Sequence, residues 1–180
     1  APEFRQAVFG FYPDAESGCR AISTVIASGV QPTALEFFDR LTLLSTIGSL
    51  PFDAPAGARF AVLAEADGTR AEVDHQISEL QEAMSGEQIG RLNRIAGQAD
   101  LGKLWNWRDG VSIAVAAQRG GKISEDVVVP GEHLGRAIEE TIVIGRRHGL
   151  EACSWGHAGD GNLHSTFLVD LSDESELQRG

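Results

Sequence analysis

Two cysteines, Cys19 and Cys153, are all that the 180 residues contain. They are too few for a disulfide scaffold and stand in no C-x-x-C spacing, so they read as reduced thiols of a cytoplasmic protein. No apolar run approaches the roughly 18 residues that a membrane-spanning helix needs, and the N-terminus lacks the basic-then-apolar pattern of a secretory signal. Positive charge is scarce as well. Fifteen Lys and Arg stand against 26 Asp and Glu, a net charge of −11, with a pI near 4.8. A field of that sign repels phosphate backbones and anionic lipid surfaces, which argues against nucleic acid as a partner. A small acidic substrate would then depend on a few individual arginines and lysines. No G-x-G-x-x-G phosphate cradle follows a strand, and no H-x-x-x-H or H-x-H pair occurs. Repeats and low-complexity stretches are also lacking. The first residues, Ala1 to Phe4, and the polar stretch from Asp173 to Gly180 read as cuts in a longer protein.

What is present suits one globular domain over residues 1–180: 42% hydrophobic and 23% charged residues, near the averages for folded chains. Val8 to Tyr12 reads as a strand closed by Pro13. Asp14 caps a helix with Cys19, Ile22, Val25 and Ile26 at helical spacing, and Gly29 ends it. Thr33 to Asp39 reads as a second strand, Leu41 to Ile47 as a short helix and Ser49 to Gly57 as a loop. The apolar run Arg59 to Ala66 suits a buried central strand. Thr69 opens a helix with Val73, Ile77, Leu80 and Met84 on one face. Glu87 to Gln118 reads as helix in two pieces, broken near Gly97 to Gly102. Ile123 to Val129 is a β-branched strand, and Glu132 to His148 an amphipathic helix closed by Gly149. Leu150 to Trp155 and Asn162 to Val169 are two further strands. Strands and helices alternating in this way, in two βαβ-type halves, predict an α+β fold: a ferredoxin-like antiparallel sheet covered by helices.

Between the last two strands lies Gly156-His-Ala-Gly-Asp-Gly-Asn-Leu-His164. Glycines at 156, 159 and 161 admit crowded or left-handed backbone, and Asp160 and Asn162 suit tight turns through local hydrogen bonds. A plain reversal needs one or two such residues. Two imidazoles bracketing so permissive a loop predict a site where backbone approaches a ligand and histidines bind a metal or move a proton.

This loop resembles the signature of the C-terminal domain of FAD-linked oxidases of the vanillyl-alcohol-oxidase type, which include glycolate oxidase flavoprotein subunits and D-lactate and D-2-hydroxyglutarate dehydrogenases. Three more segments are similar to that family, in its order: Thr33-Ala-Leu-Glu-Phe-Phe-Asp39, Leu104-Trp-Asn-Trp-Arg-Asp-Gly110 and Ser124-Glu-Asp-Val-Val-Val-Pro130. The resemblance implies a flavoenzyme that oxidises a 2-hydroxy acid to a 2-keto acid. The C-terminal domain caps the flavin and lines the substrate pocket, and a separate N-terminal domain holds FAD. It also implies that this chain is a fragment, without that domain and without the family's last segment, a Glu-His-Gly motif. Its partners would be a small 2-hydroxy acid, its own FAD-binding domain and an electron acceptor; a homodimer stays open.

His157 and His164 are the catalytic candidates, as a general base or as ligands of zinc or another divalent metal. The resemblance implies a third ligand, a glutamate of the Glu-His-Gly segment, so weak or no metal binding is expected here. Arg108 is the candidate for the substrate carboxylate, since a guanidinium fork matches a carboxylate bidentately. The resemblance adds Ser112 as an assisting hydroxyl. It places a substrate lysine where this chain has Ser124, so Lys122 would need a shifted loop. Asn162 could bond substrate oxygens or, with Gly161, the flavin edge. Asp160 reads equally as a partner of a histidine or as a local loop cap, Glu36 and Asp39 as strand-end salt-bridge residues, and the three tryptophans as core or pocket wall. The competing readings are a non-catalytic binding or assembly module with the same fold and a metal-dependent hydrolase using His157, His164 and Asp160.

Overall fold

The computed structural model describes residues 3–180, so Ala1 and Pro2 lie outside the described residues. The elements are β1 (Phe4–Tyr12), α1 (Ala15–Ser28), β2 (Ala34–Phe38), α2 (Arg40–Thr46), β3 (Phe60–Gly68), α3 (Arg70–Met84), β4 (Asn93–Ile95), α4 (Gln98–Ala117), β5 (Gly121–Val128), α5 (Leu134–His148), β6 (Ala152–His157), β7 (Asn162–Val169) and α6 (Glu174–Arg179). Side chains close the starts of α1, α2 and α3. Asp14 accepts from the Ser17 amide at the start of α1, Asp39 from the Thr42 amide at α2, and Thr69 and Glu72 form a capping box at α3.

The seven strands form one antiparallel sheet in the order β4-β1-β3-β2-β6-β7-β5. Two units of one kind build it. In the first, β1, α1 and β2 leave a gap that β3 fills. In the second, β5, α5 and β6 leave a gap that β7 fills. With β4 on the outer edge, the first four strands have the ferredoxin-like order that the two-halves reading expects. Helices lie on both faces. α1, α3 and α5 cover one, over Val8, Tyr12, Leu35, Phe37, Phe60 and Val62. α2 and α4 cover the other, where Phe9, Phe11, Phe38 and Trp107 pack edge to face and stacked. Because β1 and β3 are covered twice, they read as continuous apolar runs instead of alternating ones.

Two expectations are corrected. Residues 87–97 are not helical. They run irregularly into β4, whose three residues pair with Ala7, Val8 and Phe9 of β1, a long-range pairing that no local periodicity can announce. α4 begins at Gln98 and passes straight through Gly102, so there is one helix, capped at Gly97, and no break. The polar stretch after Asp173 is also ordered as α6. Asp173 accepts from the Ser175 and Glu176 amides, and buried Glu176 joins Arg119 and the Asp170 amide.

Candidate functional site

Strand register assembles the site. On β2, Leu35 and Phe37 point into the α1 side, which sends Glu36 to the α4 side. There Glu36 lies opposite His157 of β6, Trp155 opposite His164 of β7, and Asp126 of β5 opposite His164 on its other flank. The hairpin between β6 and β7 turns through residues 158–161, so both histidines emerge on one face. Their ring centroids are 5.9 Å apart and their planes 74° inclined.

Two of the three loop glycines are required by the backbone. Gly161 has φ 72°, and a Cβ there or at Gly156 would run into a carbonyl oxygen, that of Val129 or Asn162 respectively. Gly159 has neither constraint: its nearest neighbour would be Leu35 Cβ at 3.8 Å. The crowding is thus between strands of this chain, where the sequence suggested an approaching ligand.

Glu36 is 3% exposed and central to the site. Its Oε2 accepts from Arg108 Nε at 3.0 Å and Nη2 at 2.8 Å, and its Oε1 lies 2.5 Å from His157 Nδ1. Arg108 Nη2 is also 3.4 and 3.3 Å from Nδ1 and Nε2 of His157. Arg108 is therefore no solvent-facing helix arginine. One edge of its fork holds Glu36, and its Nη1 side remains for another anion. His164 Nδ1 is 2.5 Å from Asp126 Oδ1, and its ring centroid is 5.3 Å from that of Trp155. A second buried acid, Glu65, accepts from Arg5 Nε and Nη2 at 3.0 and 2.6 Å and from Trp105 Nε1 at 2.5 Å. It extends the polar row along the face.

The other expected residues fall around this cluster. Ser112 is half-buried one helical turn beyond Arg108. β5 pairs with β7 without a bulge, so Ser124 bonds Thr166. Lys122, two residues further along the same face, lays its Nζ 5.4 Å from the Trp155 ring centroid. Asp160 accepts from the Asn162 amide, the local cap. The side-chain oxygen of Asn162 is enclosed without a partner, so it is not presented outward to a ligand. Trp107 and Trp155 are core, whereas Trp105 is half-buried. Trp105 joins Arg108, His157, Val25, Val30 and Pro32 in lining an open cleft of about 820 Å³.

Glu36 and Asp126 were the residues sequence reasoning undervalued. Exposed Asp126 carries no available signal, whereas for Glu36 it was an acid inside an apolar strand, since a carboxylate seldom enters a core without a cationic partner. Glu65, inside the run Phe60–Ala66, carries the same signal.

The metal-ligand role considered for His157 and His164 is not supported. Among the described residues no three His, Cys, Asp or Glu side chains are grouped to hold an ion. Two imidazoles alone are too few for a closed centre. No helix among the described residues is long and apolar enough to cross a membrane.

Comparison with known proteins agrees with this architecture. The family described as FAD linked oxidases, C-terminal domain, matches residues 1–180. Glycolate oxidase subunit GlcD of Bacillus subtilis is 25% identical over 178 residues, 99% of this chain and 38% of that protein. The probable mitochondrial D-lactate dehydrogenase of Danio rerio is 24% identical over 182 residues, 99% of this chain and 36% of that protein. The chain thus spans less than two fifths of the length of these relatives. Among solved structures, 4-ethylphenol oxidase from Gulosibacter chungangensis superposes with a TM-score of 0.71 at 16% identity, over 99% of this chain and 42% of the other. A match to the family over the whole of its length, together with the shared fold, places this chain among the FAD linked oxidases, as their C-terminal domain.

Proposed function

We propose that this chain is the substrate-binding and cap domain of an FAD-dependent dehydrogenase or oxidase that converts a 2-hydroxy acid to the 2-keto acid, acting with a separate FAD-binding domain. The observation that carries the reading is the joining of Arg108 and His157 through Glu36, beside His164 and at the wall of an open cleft. The donor set suits the reaction. Nη1 of Arg108 is available for the substrate carboxylate, with Ser112 and Lys122 as flanking polar groups. An imidazole nitrogen accepts the hydroxyl proton as the carbonyl forms. A bound flavin supplies the acceptor for the α-hydrogen and its electron pair. Gly161 and Asn162 shape the hairpin that would face it. The names of the relatives support the class, being a glycolate oxidase subunit and a D-lactate dehydrogenase. They leave glycolate, D-lactate and D-2-hydroxyglutarate as alternatives.

The reading is tested in the protein assembled with its FAD-binding domain. A D-2-hydroxy acid should bleach the oxidised flavin band, and Arg108→Gln should lower kcat/KM by about 100-fold or more, as expected when a charged hydrogen-bonding partner of the substrate is lost. A flavin that no D-2-hydroxy acid bleaches overturns the reading. It would favour a non-catalytic binding module, an alternative supported by the engagement of one edge of Arg108 with Glu36.

A further inference from the structure

Two enclosed acids stand on neighbouring strands of the α4 face. Glu36 of β2 pairs with Leu63 of β3, and Glu65 follows two residues later on β3, opposite Ala34. Side chains two apart on a strand share a face. Each acid grips one side chain of α4, and the two gripped residues are one helical turn apart. Glu36 holds Arg108, and Glu65 holds Trp105 through the indole Nε1–H at 2.5 Å. Arg5 of β1 meets the other oxygen of Glu65 at 3.0 and 2.6 Å, so this 1%-exposed carboxylate is not left unpaired. A half-buried indole could give its single N–H to water. Trp105 instead meets a buried, ionised acceptor with a counter-ion of its own, which turns the nitrogen edge of the ring toward the sheet and fixes its plane.

Trp105 and Arg108 both line the open cleft, whose wall is otherwise largely apolar through Val25, Val30, Pro32 and Leu35. Arg108 is the only Lys or Arg among the described residues that line it, and Asp160 adds negative charge. A second carboxylate on a substrate would meet repulsion there and no cationic partner. An alkyl group would meet the indole. Residues three apart on a helix have Cβ atoms roughly 5–6 Å apart, a span that a short alkyl group on the hydroxyl-bearing carbon covers when Arg108 holds the carboxylate. We infer that Trp105 is a specificity-determining residue, held by Glu65 as its positioning residue, and that it selects 2-hydroxy monocarboxylic acids with a short alkyl side chain over glycolate and over dicarboxylic 2-hydroxy acids. The indole supplies flat apolar surface beside the anion-holding arginine. Because Glu65 orders the ring beforehand, little side-chain freedom is lost when substrate arrives. This inference rests on the proposed site, but the hold of Glu65 on the indole is readable without flavin or substrate.

The test compares glycolate, D-lactate, D-2-hydroxybutyrate and D-2-hydroxyglutarate in the protein assembled with its FAD-binding domain. kcat/KM should rise from glycolate to D-2-hydroxybutyrate, and should be about 10-fold or more lower for D-2-hydroxyglutarate than for D-2-hydroxybutyrate. Trp105→Ala should cut the ratio of D-2-hydroxybutyrate to glycolate by about 10-fold or more. Glu65→Leu should lower the same ratio, and Glu65→Gln, whose amide oxygen still accepts from the indole, should restore it. A merely structural role would lower all four acids together, and that result overturns the inference, as does D-2-hydroxyglutarate as the best substrate. In the ¹⁵N-labelled chain, the indole N–H signal missing from Trp105→Phe belongs to Trp105. Its exchange with solvent should be about 10-fold or more faster in Glu65→Leu than in wild type, and unchanged exchange refutes the positioning role. If no 2-hydroxy acid bleaches the flavin, the functional reading fails and the selectivity falls with it. Bleaching with a ratio that Trp105→Ala leaves unmoved overturns this inference alone.

Discussion

Glu36 shows how one side chain can organise a site and how little the sequence advertises it. In Thr33-Ala-Leu-Glu-Phe-Phe-Asp39 the strand was legible from the β-prone run, whereas Asp39, expected in a strand-end salt bridge, instead caps α2. The salt-bridge role assigned to Glu36 was right in kind. Its partners could not be read, since Arg108 is 72 residues away and His157 121 residues away. Only strand register and the approach of α4 make them neighbours. The energetics follow from burial. Removing one member of an enclosed ion pair strands the other charge, at a cost of about 3 kcal/mol or more, whereas removing both with apolar replacements costs far less. Arg108→Met should thus lower stability by about that amount in urea unfolding of the isolated chain, and the double variant Arg108→Met with Glu36→Leu should recover a large part of it. A double variant no more stable than Arg108→Met would show that the pair is not coupled as the 2.8 Å contact implies.

At the scale of elements, what the sequence made legible was whatever depends on local chemistry. Caps, amphipathic faces and the glycine-rich reversal were placed within a few residues. What escaped was held by distant partners: β4, paired only through β1, and α6, anchored by Glu176 to Arg119. The hairpin carries a sharper lesson, because its three glycines look equivalent in sequence and are not. Gly161 occupies the left-handed region and faces the Val129 carbonyl, while Gly159 has ordinary space around it. Gly161→Ala should therefore destabilise the chain by about 1–3 kcal/mol through backbone strain and overpacking, and by shifting the hairpin it should separate the two imidazoles. Gly159→Ala should stay within about 0.5 kcal/mol of wild type. Urea midpoints of the two variants, measured side by side, check the contrast; equal losses would mean that the turn is not held by the contact with Val129.

For the molecule as a whole, acid–base linkage ties the two halves of the sheet together at Asp39. This residue ends β2, caps α2 and reaches across to β6, where its carboxylate accepts from the Ser154 amide at 2.8 Å while its own amide donates to the Ser154 carbonyl. It is 2% exposed, and burial raises its pKa from 3.8 to about 6 despite hydrogen bonds that pull the other way. The folded state then binds the proton more tightly than the unfolded chain. Its contribution is fully present below about pH 4 and is lost as pH rises through about 6. Glu176 runs in the opposite sense. Its bond to Arg119 lowers its pKa from 4.5 to about 2, so the stability it contributes is present above pH 4.5 and disappears as pH falls toward 2. The total stability curve mixes these slopes, but the difference between wild type and Asp39→Asn isolates one of them. Between about pH 4 and 6 wild type should lose stability relative to that variant, by on the order of 3 kcal/mol across the interval, and the difference should level off near neutrality. Urea unfolding at pH 4.5, 5.5, 6.5 and 7.5 (roughly spanning the shift) reads it directly. A difference that grows in favour of wild type over the same interval would mean that the hydrogen bonds from Thr42 and Ser154 outweigh burial, and that the join between β2 and β6 is held by a carboxylate fully ionised across the whole range.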